Sequence, residues 1–277
     1  MAGKDRIALI GAGRMGGALA TGWFRGKGKV DAEDLLICAP RLTGEMATLV
    51  RERGLKRVEA LGPRTAKDVT IALLAVKPQV FYDIADNLAE VLPRDCTIVS
   101  VMAGVTIRTI TELLGERPVI RAMPNTPTAI GKGVIVCVAN EAADPRRKDA
   151  ERLLKVGGKI EWIDDERLMG AVTGVSGSGP AYFFLLAESL AGAGESLGLP
   201  RDLAEKLAAE TLIGAGELMK SSGLSPQELR RQVTSPNGTT QAALDVMMGG
   251  SALPEMMRHA VAAAERRSRQ LGDTNRN

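Results

Sequence analysis

The chain has 277 residues, enough for two domains, of which 45% are hydrophobic and 25% charged, with a formal net charge of +3. Its longest apolar runs are strand-sized and fall short of the ~20 residues that a membrane-spanning helix needs, so no membrane span is expected. Aromatic residues make up 3% of the chain and the basic residues are spread along it, which argues against a nucleic-acid-binding surface.

Three cysteines, Cys38, Cys96 and Cys137, each lie in or beside an apolar, strand-like run. An odd number without metal-ligand spacing predicts buried, reduced thiols, as in a cytoplasmic protein. The N-terminus has no signal-peptide pattern, because a strand begins almost at once. The single histidine, His259, falls in a polar-rich helical segment and is expected on the surface, so no metal site is expected.

The strongest local pattern lies at residues 7–19, IALIGAGRMGGAL, where a short apolar run leads through G-x-G-x-x-G spacing into a helical pattern. Gly11 allows a sharp turn, Gly13 lets the backbone approach a pyrophosphate, and Gly16 lets the helix lie close to the strand. The phosphates would meet the free N–H groups and the positive end of the helix dipole. The pattern predicts a dinucleotide site; a glycine-rich packing turn in another α/β protein is the alternative.

The second predicted strand, residues 35–39, runs into Pro40 and Arg41. In dinucleotide-binding folds an acidic residue at this point binds the ribose 2′-hydroxyl of NAD, whereas an arginine pairs with the 2′-phosphate of NADP. Because Arg41 follows the strand and no acid does, we expect NADP(H) as the preferred cofactor, with NAD(H) possible. The alternative is that Arg41 is a solvated loop residue.

Strands and helices alternate up to about residue 164. Further strands are predicted at residues 71–76, 97–101, 119–122, 134–138 and 160–163, with helices at residues 44–53, 80–92 and 107–114. Asp144 and Pro145 are predicted to start another helix, as its N-cap and a first-turn residue. The alternation predicts an α/β fold, a doubly wound, mostly parallel sheet of the Rossmann type over residues 1–164.

Three loops that follow predicted strands are candidate parts of the site, because ligands of open parallel sheets bind at the carboxyl ends of the strands. Lys77 follows one strand, where it either faces the ligand or caps the next helix. Residues 102–104 follow the next strand and would let a ring pass close. Pro124 and Pro127 make the loop after the fifth strand rigid, as a site wall requires.

From residue 165 no further strand is predicted. Residues 168–173 are predicted to be a short helix or a turn, and helices are predicted at residues 182–197, 201–220, 241–248 and 254–271, with a capping box at residues 225–228. These helices are rich in Ala, Gly and Met and too apolar for one small bundle in water. We therefore expect residues 165–277 to form a helical domain that buries a face against a second copy, giving a homodimer or a higher homo-oligomer. The polar tail from residue 272 is expected to be disordered.

A hydroxyl-rich loop, VTSPNGTT, occupies residues 233–240 between two predicted helices. Ser235, Thr239 and Thr240 surround residues that enforce turns, and the following helix offers free N–H groups. Such a loop can hold a carboxylate by hydroxyl donors and the helix dipole. The alternative is ordinary N-capping of the helix by Thr239 or Thr240.

Six motifs occur together and in order: GAGRMGGALATG, LAVKPQ, VSVMAGV, IRAMPNTP, SGSGPAY and VTSPNGTT. From residue 6 to about 270 the chain resembles the pyrroline-5-carboxylate reductase family. The resemblance implies an N-terminal NAD(P) domain, a helical domain that interlocks with its twin, and hydride transfer from NADPH to the C=N carbon of 1-pyrroline-5-carboxylate, which gives L-proline in the last step of proline biosynthesis.

The resemblance also implies the site residues. The Ser235 hydroxyl and the N–H groups of Thr239 and Thr240, supplied by the partner subunit, would hold the substrate carboxylate, and SGSGPAY would border the nicotinamide pocket and the dimer seam. The Thr240 hydroxyl would lie near the ring nitrogen, which makes Thr240 the candidate catalytic proton relay. The implied cofactor-binding residues are Gly11, Ala12, Gly13, Arg14, Met15, Arg41, Ala75, Val76, Lys77, Pro78, Val101, Met102 and Ala103.

Where the family commonly has two glycines in VTSPNGTT, this chain has Asn237-Gly238. Asn tolerates positive φ, so the loop is expected to keep its shape.

The alternatives to this function are another NADP-dependent dehydrogenase or imine reductase of similar domain plan, and a non-catalytic NADP-binding module. An NADP-dependent dehydrogenase of the β-hydroxyacid type needs a base, commonly a Lys in the long interdomain helix, and residues 182–197 contain none. A non-catalytic NADP-binding module would leave the hydroxyl loop unexplained.

Overall fold

The computed structural model describes residues 5–25 and 30–274. The chain forms two compact units, one of residues up to 177 together with a C-terminal segment from residue 264, and the other of residues 178–263. The last strand ends at Trp162, just before the predicted boundary at residue 164, and the described residues beyond it are helices and turns.

The described part of the first unit contains an eight-stranded sheet in the order β3-β2-β1-β4-β5-β6-β7-β8. The strands are β1 (Ile7–Ile10), β2 (Leu35–Cys38), β3 (Lys56–Val58), β4 (Ile71–Leu74), β5 (Thr97–Ser100), β6 (Val119–Met123), β7 (Gly133–Ala139) and β8 (Gly158–Trp162). Every neighbouring pair is parallel except β6 with β7, which is antiparallel. The predicted doubly wound, mostly parallel sheet is confirmed.

The antiparallel pair follows from the length of its connection. Residues 124–132 between β6 and β7 hold only a short 3-10 segment, Thr126–Ile130, whereas a parallel pair needs a crossover of a dozen or more residues. The central strands β1, β4 and β5 are buried at every position, because helices cover both faces of the sheet.

Seven α-helices lie wholly in the described part of this unit: α1 (Arg14–Phe24), α2 (Gly44–Arg53), α3 (Pro63–Ala66), α4 (Pro78–Val91), α5 (Ile107–Leu114), α6 (Arg147–Leu154) and α7 (Met169–Val172). Trp23 of α1 and Leu153 of α6 pack in one buried cluster. Phe81 of α4 and Ile110 of α5 pack in the other. The two clusters are the two apolar layers of a doubly wound fold.

Two predictions for this unit are wrong in detail. The strand β3 was not anticipated, because Lys56 and Arg57 make it polar. The helix predicted to start at Asp144 begins instead at Arg147, after a 3-10 segment, Glu141–Arg146, that contains Pro145. Asp144 does not cap it, since Arg146 is the N-cap; the Asp144 carboxylate accepts a hydrogen bond from the Arg147 side chain at 2.8 Å.

The three cysteines are buried and free, as predicted. Burial raises the pKa of Cys96 and of Cys137 to about 12, so both are neutral thiols at physiological pH and poor nucleophiles. His259 is exposed on a helix, also as predicted.

The remaining helices are α8 (Gly179–Ser196), α9 (Arg201–Ser222), α10 (Pro226–Gln232), α11 (Thr239–Met248) and α12 (Ala252–Thr274). Because α12 continues to Thr274, the predicted disorder from residue 272 is wrong for residues 272–274; residues 275–277 lie outside the described residues. Small buried residues, Ala191 of α8 and Ala204 of α9, form the seam between those two helices.

Among the described residues no helix is both long and apolar enough to cross a bilayer.

The helices of the second unit leave a large apolar surface open to water. Its members, each at least 42% exposed, include Phe183, Phe184, Leu185, Leu186, Leu190, Leu197, Leu203, Leu207, Ile213, Leu218, Val233 and Val246. A monomeric protein rarely exposes so many large apolar side chains on a few helices, so another protein surface is needed to cover them.

Candidate functional site

The register of the sheet brings the predicted cofactor segments together at the carboxyl ends of the strands, along one edge of the sheet. Ile10, the last residue of β1, lies opposite Cys38 of β2 and Leu74 of β4, and Leu74 lies opposite Ser100 of β5. The segments that follow these strands therefore start side by side. They are residues 11–15, the loop with Arg41, residues 75–78 and residues 101–103.

The glycine turn after β1 has the predicted local geometry. Gly11 has a φ of +95°, and its N–H donates to the Cys38 carbonyl at 2.9 Å. A Cβ atom on Gly11 would lie 2.7 Å from the backbone of Ala75. A Cβ atom on Gly16 would overlap with the Gly11 carbonyl oxygen. The sharp turn and the close packing of helix on strand are thus confirmed.

The start of α1 is open, as a bound pyrophosphate requires. Gly13 is the N-cap, and a Cβ atom placed on it would meet nothing within 4 Å. The first turn carries no acidic residue, so the N–H groups that a helix start leaves unpaired keep a positive potential. A cleft of about 310 Å³ runs past Gly13, Arg14 and Thr43. These residues fit a dinucleotide.

Arg41 is exposed and forms no ion pair with any residue that the structure describes. The backbone in front of it is held by a residue that the sequence did not single out. Arg57 donates from Nε to the Ala39 carbonyl at 3.0 Å and from Nη2 to the Pro40 carbonyl at 2.5 Å. The only signal in the sequence was a basic residue in a polar segment, and such residues are usually solvated.

The other two cofactor segments differ in how they present their side chains. Lys77 is exposed and stands at the N-cap of α4, a position compatible with either predicted role. The Met102 side chain is buried in the core, so that residue can offer a ligand only its backbone. Ala103 beside it is exposed.

The hydroxyl loop lies in the second unit, between α10 and α11. Gly238 is the N-cap of α11, so the alternative in which Thr239 or Thr240 caps the helix is wrong. Asn237 has a φ of +59°, the conformation expected of a residue in place of glycine. A Cβ atom on Gly238 would overlap with Ser235 Oγ, and the Gly238 N–H donates to the Ser235 carbonyl at 3.1 Å.

Three hydroxyl groups of this loop remain available to a ligand. The hydroxyl groups of Ser235, Thr239 and Thr240 have no hydrogen bond to another described residue. The first turn of α11 contains no acidic residue, and its cap makes no side-chain hydrogen bond. Free hydroxyls beside the positive end of a helix dipole suit a carboxylate.

Two family models match the chain. A model described as pyrroline-5-carboxylate reductase dimerisation matches residues 166–271. A model described as NADP oxidoreductase coenzyme F420-dependent matches residues 6–104. The first model agrees with the apolar surface of the helical unit and confirms the predicted assembly into a homo-oligomer.

Relatives and solved structures match over the whole length. The pyrroline-5-carboxylate reductase of Pseudomonas aeruginosa is 39% identical over 270 residues, 97% of each chain. That of Arabidopsis thaliana is 35% identical over 274 residues, 97% of this chain and 96% of the other. The solved reductase of Coxiella burnetii is 31% identical with a TM-score of 0.88, covering 97% of this chain and 99% of that one.

A Plasmodium falciparum pyrroline carboxylate reductase, solved with NADP bound, is 28% identical with a TM-score of 0.82 and covers 97% of this chain and 98% of its own. These similarities confirm the resemblance to the pyrroline-5-carboxylate reductase family and favour that function over the β-hydroxyacid-type dehydrogenase and the non-catalytic NADP-binding module. The roles of individual site residues stay predictions. By identity over nearly its entire length, the chain belongs to the pyrroline-5-carboxylate reductase family.

Proposed function

We propose that the protein reduces 1-pyrroline-5-carboxylate to L-proline with NADPH in preference to NADH, by means of the residues predicted from the sequence. The observation that carries this proposal is the alignment of β1, β2, β4 and β5, which puts the cofactor segments at one edge. Bound NADPH supplies the hydride to the C=N carbon of the imine.

The chain's own groups bind and orient that cofactor. The backbone of residues 11–15 and the start of α1 hold the pyrophosphate, and Arg41 pairs with the 2′-phosphate. Residues 75–78 and 101–103 line the nicotinamide half. The open surface at Gly13 and the absence of an ion pair at Arg41 among the described residues support these assignments.

The substrate carboxylate is held by the Ser235 hydroxyl and by the N–H groups of Thr239 and Thr240. The start of α11, which no side chain caps, supports this role. So do the hydroxyls of Ser235, Thr239 and Thr240, which have no hydrogen bond to another described residue. A loop from a second copy supplies these groups, in keeping with the dimerisation family model over residues 166–271.

We assign cofactor binding to residues 1–164 and substrate binding and assembly to residues 165–277. We assign the protein to the cytoplasm.

The reaction needs no strong acid from the protein. A cyclic imine is basic, and its protonated form already accepts a hydride, so the protein has mainly to position two carbon atoms and exclude water. The loop accordingly contains hydroxyls rather than a carboxyl group or an imidazole. The Thr240 hydroxyl relays a proton to the ring nitrogen: it donates its own proton to the imine nitrogen and takes one from solvent water, before the hydride is transferred.

The role of Thr240 is tested by comparing Thr240→Val with Thr240→Ser. The valine variant keeps the shape and loses the hydroxyl, so kcat should fall by about 100-fold while the Kd for NADPH is unchanged. The serine variant should retain most of the turnover. Full activity in Thr240→Val would exclude the proton relay and leave the N–H contact as the sole role of this residue.

A further inference from the structure

The short edge strand β3 places Arg57 beside the end of β2. Ile37 lies opposite Arg57 and Cys38 opposite Val58, and the Ala39 N–H donates to the Val58 carbonyl at 3.0 Å. The loop that leads to Arg41 thus leaves the sheet alongside β3. Whatever fixes this loop also fixes the backbone from which the Arg41 side chain projects.

The Arg57 guanidinium donates hydrogen bonds to two consecutive carbonyl groups of that loop. Its Nε atom donates to Ala39 and its Nη2 atom to Pro40, the residue directly before Arg41. Hydrogen bonds from a charged donor are stronger than neutral ones, and the planar fork of an arginine fixes direction as well as distance. Because the pyrrolidine ring also fixes φ at Pro40, little freedom is left up to the Arg41 nitrogen.

The charge of Arg57 is poorly compensated. Its nearest carboxylate partner among the described residues is Glu59 at 3.9 Å, whose side chain is 80% exposed, and such a pair contributes little in water. The hydrogen bonds to the Ala39 and Pro40 carbonyls are therefore the main contacts of the Arg57 guanidinium among the described residues.

We propose that Arg57 is a positioning residue for recognition of the 2′-phosphate of NADP(H): it braces the carbonyls of Ala39 and Pro40 so that Arg41 is presented to the phosphate. The inference rests on the proposed function, in which Arg41 pairs with that group. Arg57 acts through Arg41 and does not itself contact the ligand.

The direct test is calorimetric titration of the full-length protein with 2′,5′-ADP, which carries the 2′-phosphate, and with 5′-AMP, which does not. In Arg57→Gln the Kd for 2′,5′-ADP should rise about tenfold and that for 5′-AMP less than about twofold. The matched control is Lys56→Gln, which removes the same charge from the neighbouring exposed position of β3 and should change neither. Equal losses for both ligands, or none, would overturn the proposal.

Two further variants distinguish bracing of the loop by Arg57 from a general effect of its positive charge and from a direct contact of Arg57 with the phosphate. Arg57→Lys keeps the charge but cannot bridge both carbonyls, so it should behave like Arg57→Gln; wild-type affinity for 2′,5′-ADP would overturn the brace. In an Arg41→Gln background, Arg57→Gln should change the 2′,5′-ADP affinity by less than about twofold. A further loss of about tenfold in 2′,5′-ADP affinity in that background would mean that Arg57 contacts the phosphate itself.

The same variants distinguish a failure of the bracing role of Arg57 from a failure of the proposed function on which that role rests. If Arg41→Gln does not alter the preference for 2′,5′-ADP over 5′-AMP, the proposed role of Arg41 fails, and bracing by Arg57 fails with it. If Arg41→Gln removes the preference and Arg57→Gln leaves it intact, only the bracing role fails. Each ratio compares two ligands on one preparation, so partial unfolding of a variant does not affect it.

Discussion

A Cβ atom on Gly16, in the first turn of α1, would overlap with the carbonyl oxygen of Gly11, in the glycine turn that follows β1. The helix can lie against the glycine turn only because position 16 has no side chain. This contact sets the direction of the α1 axis, and with it the direction in which the first N–H groups of the helix point.

Gly16→Ala should therefore force α1 away from the turn. The obstacle is backbone, which cannot rotate aside, so the free energy of unfolding should fall by about 2–3 kcal/mol and NADPH binding should be lost. The control is Gly17→Ala in the same helix, where the Cβ would meet its nearest neighbour at an ordinary 3.7 Å. That variant should gain up to about 1 kcal/mol, and urea denaturation with cofactor titration distinguishes the two.

Gly13→Ala separates folding from cofactor binding. The new methyl group meets no atom within 4 Å and the backbone φ of −75° suits alanine, so stability should fall by no more than about 1 kcal/mol, the cost of a poorer N-cap. The Kd for NADPH should rise at least about tenfold, because the methyl group occupies the space of the pyrophosphate. An unchanged Kd, measured by cofactor fluorescence, would place the pyrophosphate elsewhere.

A carboxylate network at the start of β1 predicts a pH-dependent stability. Asp5 accepts hydrogen bonds from Arg146 and Arg152, each at 2.7 Å, and from Thr70 at 3.1 Å. Burial alone would raise the pKa of Asp5, but the hydrogen bond and charge of Arg146, followed by Thr70 and Arg152, hold it below its usual value. The stabilisation is therefore complete at neutral pH and is lost as the pH falls through this lowered pKa.

Asp5→Asn should lower the free energy of unfolding by about 2 kcal/mol at pH 7, and the difference from the wild type should shrink below a pH of about 4. The control is Asp68→Asn, which breaks the pair of Asp68 with Arg6 at 3.9 Å, where both side chains are more than half exposed. Its effect should stay within about 0.5 kcal/mol. A difference for Asp5→Asn that persists unchanged at low pH would exclude the ionised carboxylate as its source.

The apolar surface of the second unit predicts which changes disrupt assembly. The Phe184 side chain on α8 is 63% exposed in the single chain. Phe184→Glu should shift the protein toward monomers or aggregates in light scattering after size exclusion, because the interface would have to bury an unpaired charge. Phe184→Leu keeps the surface apolar and should remain oligomeric. An unchanged oligomer in Phe184→Glu would place the interface on another face.

The sheet was predictable because its central strands are continuous apolar runs, such as residues 7–10 and 71–74, set between amphipathic helices. The glycine turn and the hydroxyl loop were predictable for a similar reason, since their chemistry is local to a few consecutive residues. The strand β3 was not, because Lys56 and Arg57 at a sheet edge look like a solvated loop. The bracing contacts of Arg57 join residues 17 and 18 positions apart, and no local pattern encodes them.

The central claim is tested most directly by incubating the purified protein with 1-pyrroline-5-carboxylate and either NADPH or NADH, following the absorbance of the reduced cofactor and identifying the product. The account predicts oxidation of the cofactor with L-proline as the product, and a higher kcat/KM with NADPH than with NADH. Binding of NADPH without turnover of this imine would contradict it.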